Sequence, residues 1–548
     1  MALEDVRVAG SCEWLTSKHL YISWRTPWSD SRPIFWLAGN VACGKSVLCS
    51  HVVNDLQEQN LRCSYFFFKH GNAAKSTIAG CLRALAYQMA RSDEAVLGRL
   101  LEVEEDAPSW EHWDERIIWR KLFMGCIFQE SNPLPQFWVI DAFDECQKFP
   151  ALLNLFTKIP SYLRIFLTSR STQEVEQGLN TLGPLAEYYQ IQKEDIIGDL
   201  SIFVSSRMDR LPAGDVEGRT ELKDRILLKA SGSFLWVSLI VRELEQAYSE
   251  EGAEEILNEV PADMNKLYVR MLESVPKNGR PTRLAKSVLM WTLLSLRALT
   301  LGEMQYAIKL DTNETVHNLS KSISTICGQL VCVDQSNRVQ SIHQTAKAFL
   351  LHQNDHPNLA MNKQQSHTRI AGICLKFLAG NSLKGQHLRK MKNASSVLTP
   401  SAEFTDYACV FFSDHLQKCS SEDSTTWNLL FEFLNSSVLP WIEYLARIGK
   451  LYHITRTAKN LRAYLMRRVK YLTPLSSQKM NLESWINDLI RLSAKFRTSL
   501  TISPSSIHTL ILPMCPSESI ISKTCVSKAG TPGQRPDRQN LGRLFGQD

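Results

Sequence analysis

The sequence predicts an α/β fold, a parallel sheet covered by helices on both faces, followed by mostly helical segments. Three observations carry that prediction. Over the first 195 residues short apolar runs alternate with helically patterned segments, the order expected of a strand–helix–strand architecture. Each run is apolar at successive positions, as a strand buried on both faces must be. Beyond about residue 195 such runs nearly cease. At 548 residues and 44% hydrophobic content, the chain has material for three to four domains of about 150 residues each. A single small binding module is excluded.

In order along the chain, the Pro/Ser-rich stretch 26–33 leads into Ile34-Phe35-Trp36-Leu37, a buried strand stopped by Gly39. Residues 45–57 read as a helix, 63–68 as a second strand and 76–91 as a second helix. Residues 137–140 (FWVI) and 164–168 (RIFLT) read as central strands. Then 199–208, 222–230, 234–247 and 264–274 show helical periodicity. A small mixed unit over 281–352 contains a hairpin, 329–333 with 339–343, turning at 334–337. Residues 365–500 are helical again, and the tail after Ser503, rich in Ser, Thr, Pro and Gly, is expected to be loosely ordered.

Charge and cysteine usage narrow the function classes. The net charge is +6, yet residues 441–548 hold 17 Lys and Arg against 6 Asp and Glu, leaving residues 1–440 at −5. The 14 cysteines follow no CxxC or zinc-ligand spacing, so neither a metal finger nor a disulfide scaffold is suggested, and reduced, mostly buried thiols fit best. The N-terminus MALEDVRVAG lacks the apolar core of a secretory signal. The apolar stretch 287–301 is cut by Arg297 and is too short to span a bilayer. A cytoplasmic location is the expectation. No repeat period is visible.

The chemistry lies at the ends of the strands. Gly39-Asn40-Val41-Ala42-Cys43-Gly44-Lys45-Ser46 fits GxxxxGK[ST] between a strand and a helix. The backbone N–H groups of such a loop, with the positive end of the helix dipole, surround a β-phosphate; Lys45 reaches the β- and γ-phosphates and Ser46 ligates Mg²⁺. The strand 137–140 runs into Asp141, with Asp144 and Glu145 beyond. Asp141 stands where a metal-holding carboxylate must, and Asp144 or Glu145 could accept a proton from an attacking water. The strand 164–168 ends in Thr168, Ser169 and Arg170, and Arg170 is placed to sense a γ-phosphate.

WLAGNVACGKS, WVIDAFDEC and IFLTSR, with the flanking GSCEWL, CSYFFF, GSFLWVSLIVREL, PADMNKLYVRML, LRALTLGEMQYAI and SIHQTAKAFLL, resemble the NACHT-type STAND P-loop NTPases of the fungal NLR-like class. The N-terminal part of that class is also described as nephrocystin-like, and the matches span roughly residues 10–355. The resemblance implies an ATP/ADP switch that opens, exchanges nucleotide and oligomerises, hydrolysing slowly. It also implies a winged-helix unit whose histidine, here His343, contacts the β-phosphate. Adenine contacts are expected from the segment before the loop, near Trp14. Two departures stand out: Ala42 and Cys43 replace the small Gly and Ser of the usual loop, and Gly232-Ser233-Phe234 occupies the region of the GxP motif. A Cβ at residue 42 is costly if φ there is positive.

The resulting domain expectation is a linker segment (1–28), a NACHT P-loop domain (29–198), a helical domain (199–278), a winged helix (279–355), a helical connector (356–502) and a disordered tail (503–548). Only nine residues precede GSCEWL, and in relatives the connector precedes a WD-repeat propeller, so a truncated relative or a misread final exon is expected. Partners are the nucleotide, further copies of the chain and an unknown protein trigger or effector. Residues 309–339 carry three basic and three acidic residues, which gives no DNA-binding excess. The basic helix holding Arg462, Arg467, Arg468 and Lys470 is interleaved with Leu465, Met466 and Val469 and reads as a solvated face, with no clear nucleic-acid or membrane partner. The alternative to the switch is a degenerate scaffold that binds nucleotide weakly or not at all and serves protein interaction; a metabolic P-loop kinase is disfavoured because no acceptor site can be named.

Overall fold

A computed structural model describes residues 7–526 apart from 27, 29, 70–74, 107–112, 130–132, 213, 274, 276–278, 335, 353–360, 381–382, 384–399 and 472–476. The chain divides into two compact units, residues 1–270 and 271–548.

The first unit is built on five parallel strands: β1 (Ile34–Ala38), β2 (Arg62–Phe67), β3 (Gln136–Asp141), β4 (Leu163–Ser169) and β5 (Ala186–Gln190) in the order β2-β3-β4-β1-β5. The continuous apolar runs have a direct structural cause. Ile34 and Trp36 of β1, Trp138 and Ile140 of β3, and Ile165 and Leu167 of β4 face one core with Cys81, Leu82 and Leu85. The intervening Phe35, Leu37, Phe137, Val139 and Phe166 face the other, with Tyr21, Trp24, Leu48, Val52 and Leu56. Both faces are covered, so both residue parities are apolar. Sequence periodicity misses β5, whose AEYYQ is only half-buried at the sheet edge.

Helices that flank the sheet include α1 (Lys45–Glu58) and α2 (Ile78–Ser92). The segment following β5 is helical, as expected: α3 (Lys193–Ser205), α4 (Val216–Ala230) and α5 (Phe234–Leu244), then helices Glu250–Glu259 and Met264–Glu273. Caps set their starts. Asp215 accepts from Gly218 N–H ahead of α4 and Ser233 accepts from Trp236 N–H ahead of α5.

The second unit opens with α6 (Arg280–Leu294), β6 (Leu299–Thr300), α7 (Leu301–Thr312), α8 (Leu319–Ile326), β7 (Val331–Val333), β8 (Arg338–Ser341) and α9 (Gln344–His352). The predicted hairpin is the antiparallel β7–β8 pair, and β6 adds on the far side of β8. Then come α10 (Lys363–Ala379), α11 (Pro400–Lys418), helices Ser424–Ser436 and Val438–Arg447, α12 (Tyr452–Arg468) and α13 (Ser477–Ile502). Ion pairs join the winged part to α11. Arg297 holds Glu303 through two 2.6 Å bonds and reaches Asp406 at 3.2 Å, while Thr300 donates to Glu403 at 2.5 Å.

Two sequence expectations change here. Residues 507–526, assigned to the tail on composition, form short helices that bury Ile507, Ile511, Cys515 and Ile521, because these apolar residues recur often enough to cover the end of the bundle; residues 527–548 lie outside the described residues. The basic helix is not one uniform face. Arg468 is buried and donates to Ser421 O, Arg467 donates to Gln417 O, and Met466 is 72% exposed. Arg462 and Lys470 stay in solvent. No described helix is long and apolar enough to cross a membrane.

Candidate nucleotide-binding site

The loop leaving β1 is bound at its start, where Gly39 N–H donates to Ser169 O at the end of β4 (3.1 Å). A Cβ on Gly39 would stand 2.8 Å from Cys43 Sγ and 2.9 Å from Ile191 Cδ1, so a larger residue there would push both side chains aside. Ala42 and Gly44 both adopt left-handed conformations, with φ 63° and 88°. At Gly44 this is free; at Ala42 it costs about 1 kcal/mol. No side chain caps α1, since the residue before Lys45 is Gly44. Val47 and Leu48 N–H already donate to Gly44 O, which leaves the N–H groups of Lys45 and Ser46 and the positive end of the helix dipole to face an anion.

Lys45 Nζ donates to Gly39 O (2.9 Å) and Asn40 O (2.6 Å) and lies 3.8 Å from Cys43 Sγ. Val41 is half-buried beside them, and Cys43 is buried, with burial pushing its thiol up in pKa against the opposing charge of Lys45. Ser46, one residue into α1, donates to Asp141 Oδ2 at 2.6 Å. Thr168 donates to the other oxygen, Oδ1, also at 2.6 Å, and accepts from Ala142 N–H at 3.1 Å. Asp141 is 3% exposed. Burial raises its carboxyl above the ordinary range, and the Ser46 and Thr168 hydroxyls pull it back down. Parallel pairing of β3 with β4 brings Thr168 to Asp141: Ile140 is in register with Leu167, so the next residues on both strands are neighbours. Sequence reading noted Thr168 only as a polar strand end; adjacency of the two strands was the missing signal.

Beyond β3 the chain makes a second left-handed turn at Ala142, φ 52°, into the short helix Phe143–Glu145. That turn sets Asp144 and Glu145 opposite Arg170. Asp144 accepts from Arg170 N–H at 3.1 Å, its other oxygen lies 3.3 Å from Arg170 Nε, and Glu145 lies 3.5 Å from Arg170 Nη2. The loop, Ser46, Asp141, Asp144, Glu145 and Arg170 therefore share one edge of the sheet. Trp14 packs on Tyr189 and against the apolar cluster that includes Cys43 and Ile191, with Lys18 over the Tyr189 ring and paired with Asp195 at 2.9 Å.

His343 belongs to the second unit. Its Nδ1 accepts from Thr345 N–H (3.2 Å) and lies 2.6 Å from Thr345 Oγ1, at the head of α9. An Nδ1 that accepts a backbone N–H leaves the ring proton on Nε2 in the neutral tautomer.

The donor set fits a Mg-nucleotide. Ser46 and Asp141 offer hard oxygens, as Mg²⁺ requires. The uncapped helix start and Lys45 offer N–H donors and a cation, as a phosphate requires. Phe234, which sequence reading left without a role, also meets the loop: its N–H donates to Ala42 O at 2.9 Å and its ring lies 3.4 Å from where a Cβ on Gly44 would be.

Comparison with known proteins agrees with this geometry. Residues 10–170 match the family described as nephrocystin 3, N-terminal, and residues 272–362 match the winged helix domain of GPI inositol-deacylase. Vegetative incompatibility protein HET-E-1 of Podospora anserina is 23% identical over 561 residues, which cover 95% of this chain and 40% of that protein. The chain thus spans less than half the length of this relative. With a phosphate loop heading a five-stranded parallel sheet and a winged helix further along, the chain is similar to the NACHT-type P-loop NTPases.

Proposed function

We propose that the chain is a nucleotide-operated switch that binds ADP or ATP with Mg²⁺ and hydrolyses ATP slowly, opening and self-associating on exchange, in signalling of the incompatibility type named by its relative. The observation that carries the proposal is the 2.6 Å contact of Ser46, at the head of an uncapped helix, with the buried Asp141. This contact places a hydroxyl and a carboxylate together beside Lys45.

In this reading Lys45 exchanges its two loop carbonyls for β- and γ-phosphate oxygens, and Ser46 with Asp141 holds Mg²⁺, which supplies charge neutralisation to the phosphates. Asp144 or Glu145 orients water and accepts its proton. Arg170, bonded to both acids, moves between them and the γ-phosphate. On the family resemblance alone, His343 is assigned to the β-phosphate and the adenine contacts to the segment near Trp14. The domain limits 1–28, 29–198, 199–278, 279–355, 356–502 and 503–548 belong to the same proposal, as does a cytoplasmic location.

ADP carried through purification and Mg-ATP binding test it. The wild type should hold nucleotide, and Lys45→Ala should weaken binding by about ten- to a hundredfold, the worth of charge-assisted bonds. If wild type and Lys45→Ala both lack nucleotide, the switch is wrong and the scaffold reading takes its place. Ala42 is the observation favouring that second reading, since its φ of 63° strains the loop.

A further inference from the structure

We infer that Phe234 is a positioning residue for the phosphate loop: its backbone N–H clamps Ala42 in the left-handed conformation that the loop needs and that alanine resists. The inference rests on the nucleotide-binding reading of that loop. Ala42 carries a Cβ at φ 63°, where L-residues are disfavoured. Its carbonyl accepts from Phe234 N–H at 2.9 Å, and the Phe234 ring lies against Gly44, itself at φ 88°. The two left-handed residues of the loop thus meet one residue from another element.

That residue is delivered by a tight turn. Ser231 and Gly232 are both left-handed, φ 46° and 81°, and a Cβ on Gly232 would stand 3.1 Å from Ile196 Cδ1 of α3. The turn ends at Ser233, whose hydroxyl accepts from Trp236 N–H. Phe234 is then the first residue of α5, where a backbone N–H has no acceptor within its own helix. The Ser233 side chain serves Trp236, so the Phe234 amide is satisfied from outside, by Ala42. A proline at this position would suit the helix start equally well but could make no such bond. The phenylalanine and the alanine are therefore complementary departures: one introduces strain, the other supplies the donor that offsets it.

The test uses the full chain as wild type, Phe234→Ala, Phe234→Pro and the double variant Ala42→Gly/Phe234→Pro. Phe234→Ala keeps the N–H; Phe234→Pro removes it, and Ser233 at ψ 106° already has the extended conformation required before proline. Hydrogen exchange without nucleotide reads the clamp, and ADP affinity reads its consequence. Phe234→Pro is expected to speed exchange at Val47 and Leu48, which donate to Gly44 O, and to weaken ADP about fivefold beyond Phe234→Ala, the worth of one ordinary hydrogen bond. Ala42→Gly should restore most of that loss, because glycine is not strained there. Equal behaviour of Phe234→Pro and Phe234→Ala, or no rescue by Ala42→Gly, overturns the clamp. A fast-exchanging Phe234 amide in the wild type overturns it without any variant. Absence of ADP binding in every chain sinks the switch instead, and the exchange rates alone then decide the clamp.

Discussion

Asp141 and Ser46 show how far single residues determine this site. The carboxylate is buried with one hydroxyl on each oxygen, so Asp141→Asn keeps the shape and removes the charge. The expected result is an intact fold whose ADP affinity no longer increases on adding Mg²⁺, read by titration calorimetry with and without the ion; an undiminished Mg²⁺ effect would place the metal ligand elsewhere. The loop residues, Asp141 and Arg170 were legible in the sequence, because each sits within a motif at the end of an apolar run. Thr168 and Phe234 were not. Their roles come from pairing of β3 with β4 and from a turn more than 180 residues beyond the loop, neither of which local sequence encodes.

Elements were legible in proportion to how uniformly they are buried. β1, β3 and β4 are buried at every position and read directly as apolar runs. β5 has one buried residue in five and gave no such signal. The helix Trp119–Ile127 winds with π-type hydrogen bonding, which no periodicity of apolar residues specifies. Between α10 and α11 the sequence also hid a polar core. His367 Nδ1 meets His415 Nδ1 at 2.9 Å, and His415 Nε2 meets Tyr407 OH at 2.8 Å. Burial, with Lys418 nearby, pushes His367 down to about 4, and burial, His367 and Lys418 push His415 well below its ordinary value. Unfolded imidazoles take up protons below about pH 6.5, while these resist, so the stability they contribute is complete above pH 6.5 and is lost as pH falls toward 4. At pH 5 His367 alone should cost up to about 2 kcal/mol. Urea midpoints at pH 7.5 and 5 should therefore separate more in the wild type than in His367→Gln, and an equal separation would refute this account.

Across the whole molecule, charge is organised within units as well as at the candidate site. In the second unit Glu303 is buried between Arg297 and the start of α7, where it also accepts from Thr300 N–H (2.8 Å). Removing Arg297 leaves that carboxylate without its cation, so Arg297→Met should destabilise the protein by about 3 kcal/mol. Adding Glu303→Gln should return part of the loss, and calorimetric transitions of the single and double variants check the non-additivity. The modest net charge of +6 gave no hint of such pairs, since composition counts charges without placing them. Asp141 has a different consequence at this scale. Its two hydroxyl partners, with Lys45 nearby, offset part of the cost of burying this carboxylate. Ser46 lies on α1 and Thr168 on β4, so this one side chain ties a helix to two strands, and a change in its charge reaches all three at once.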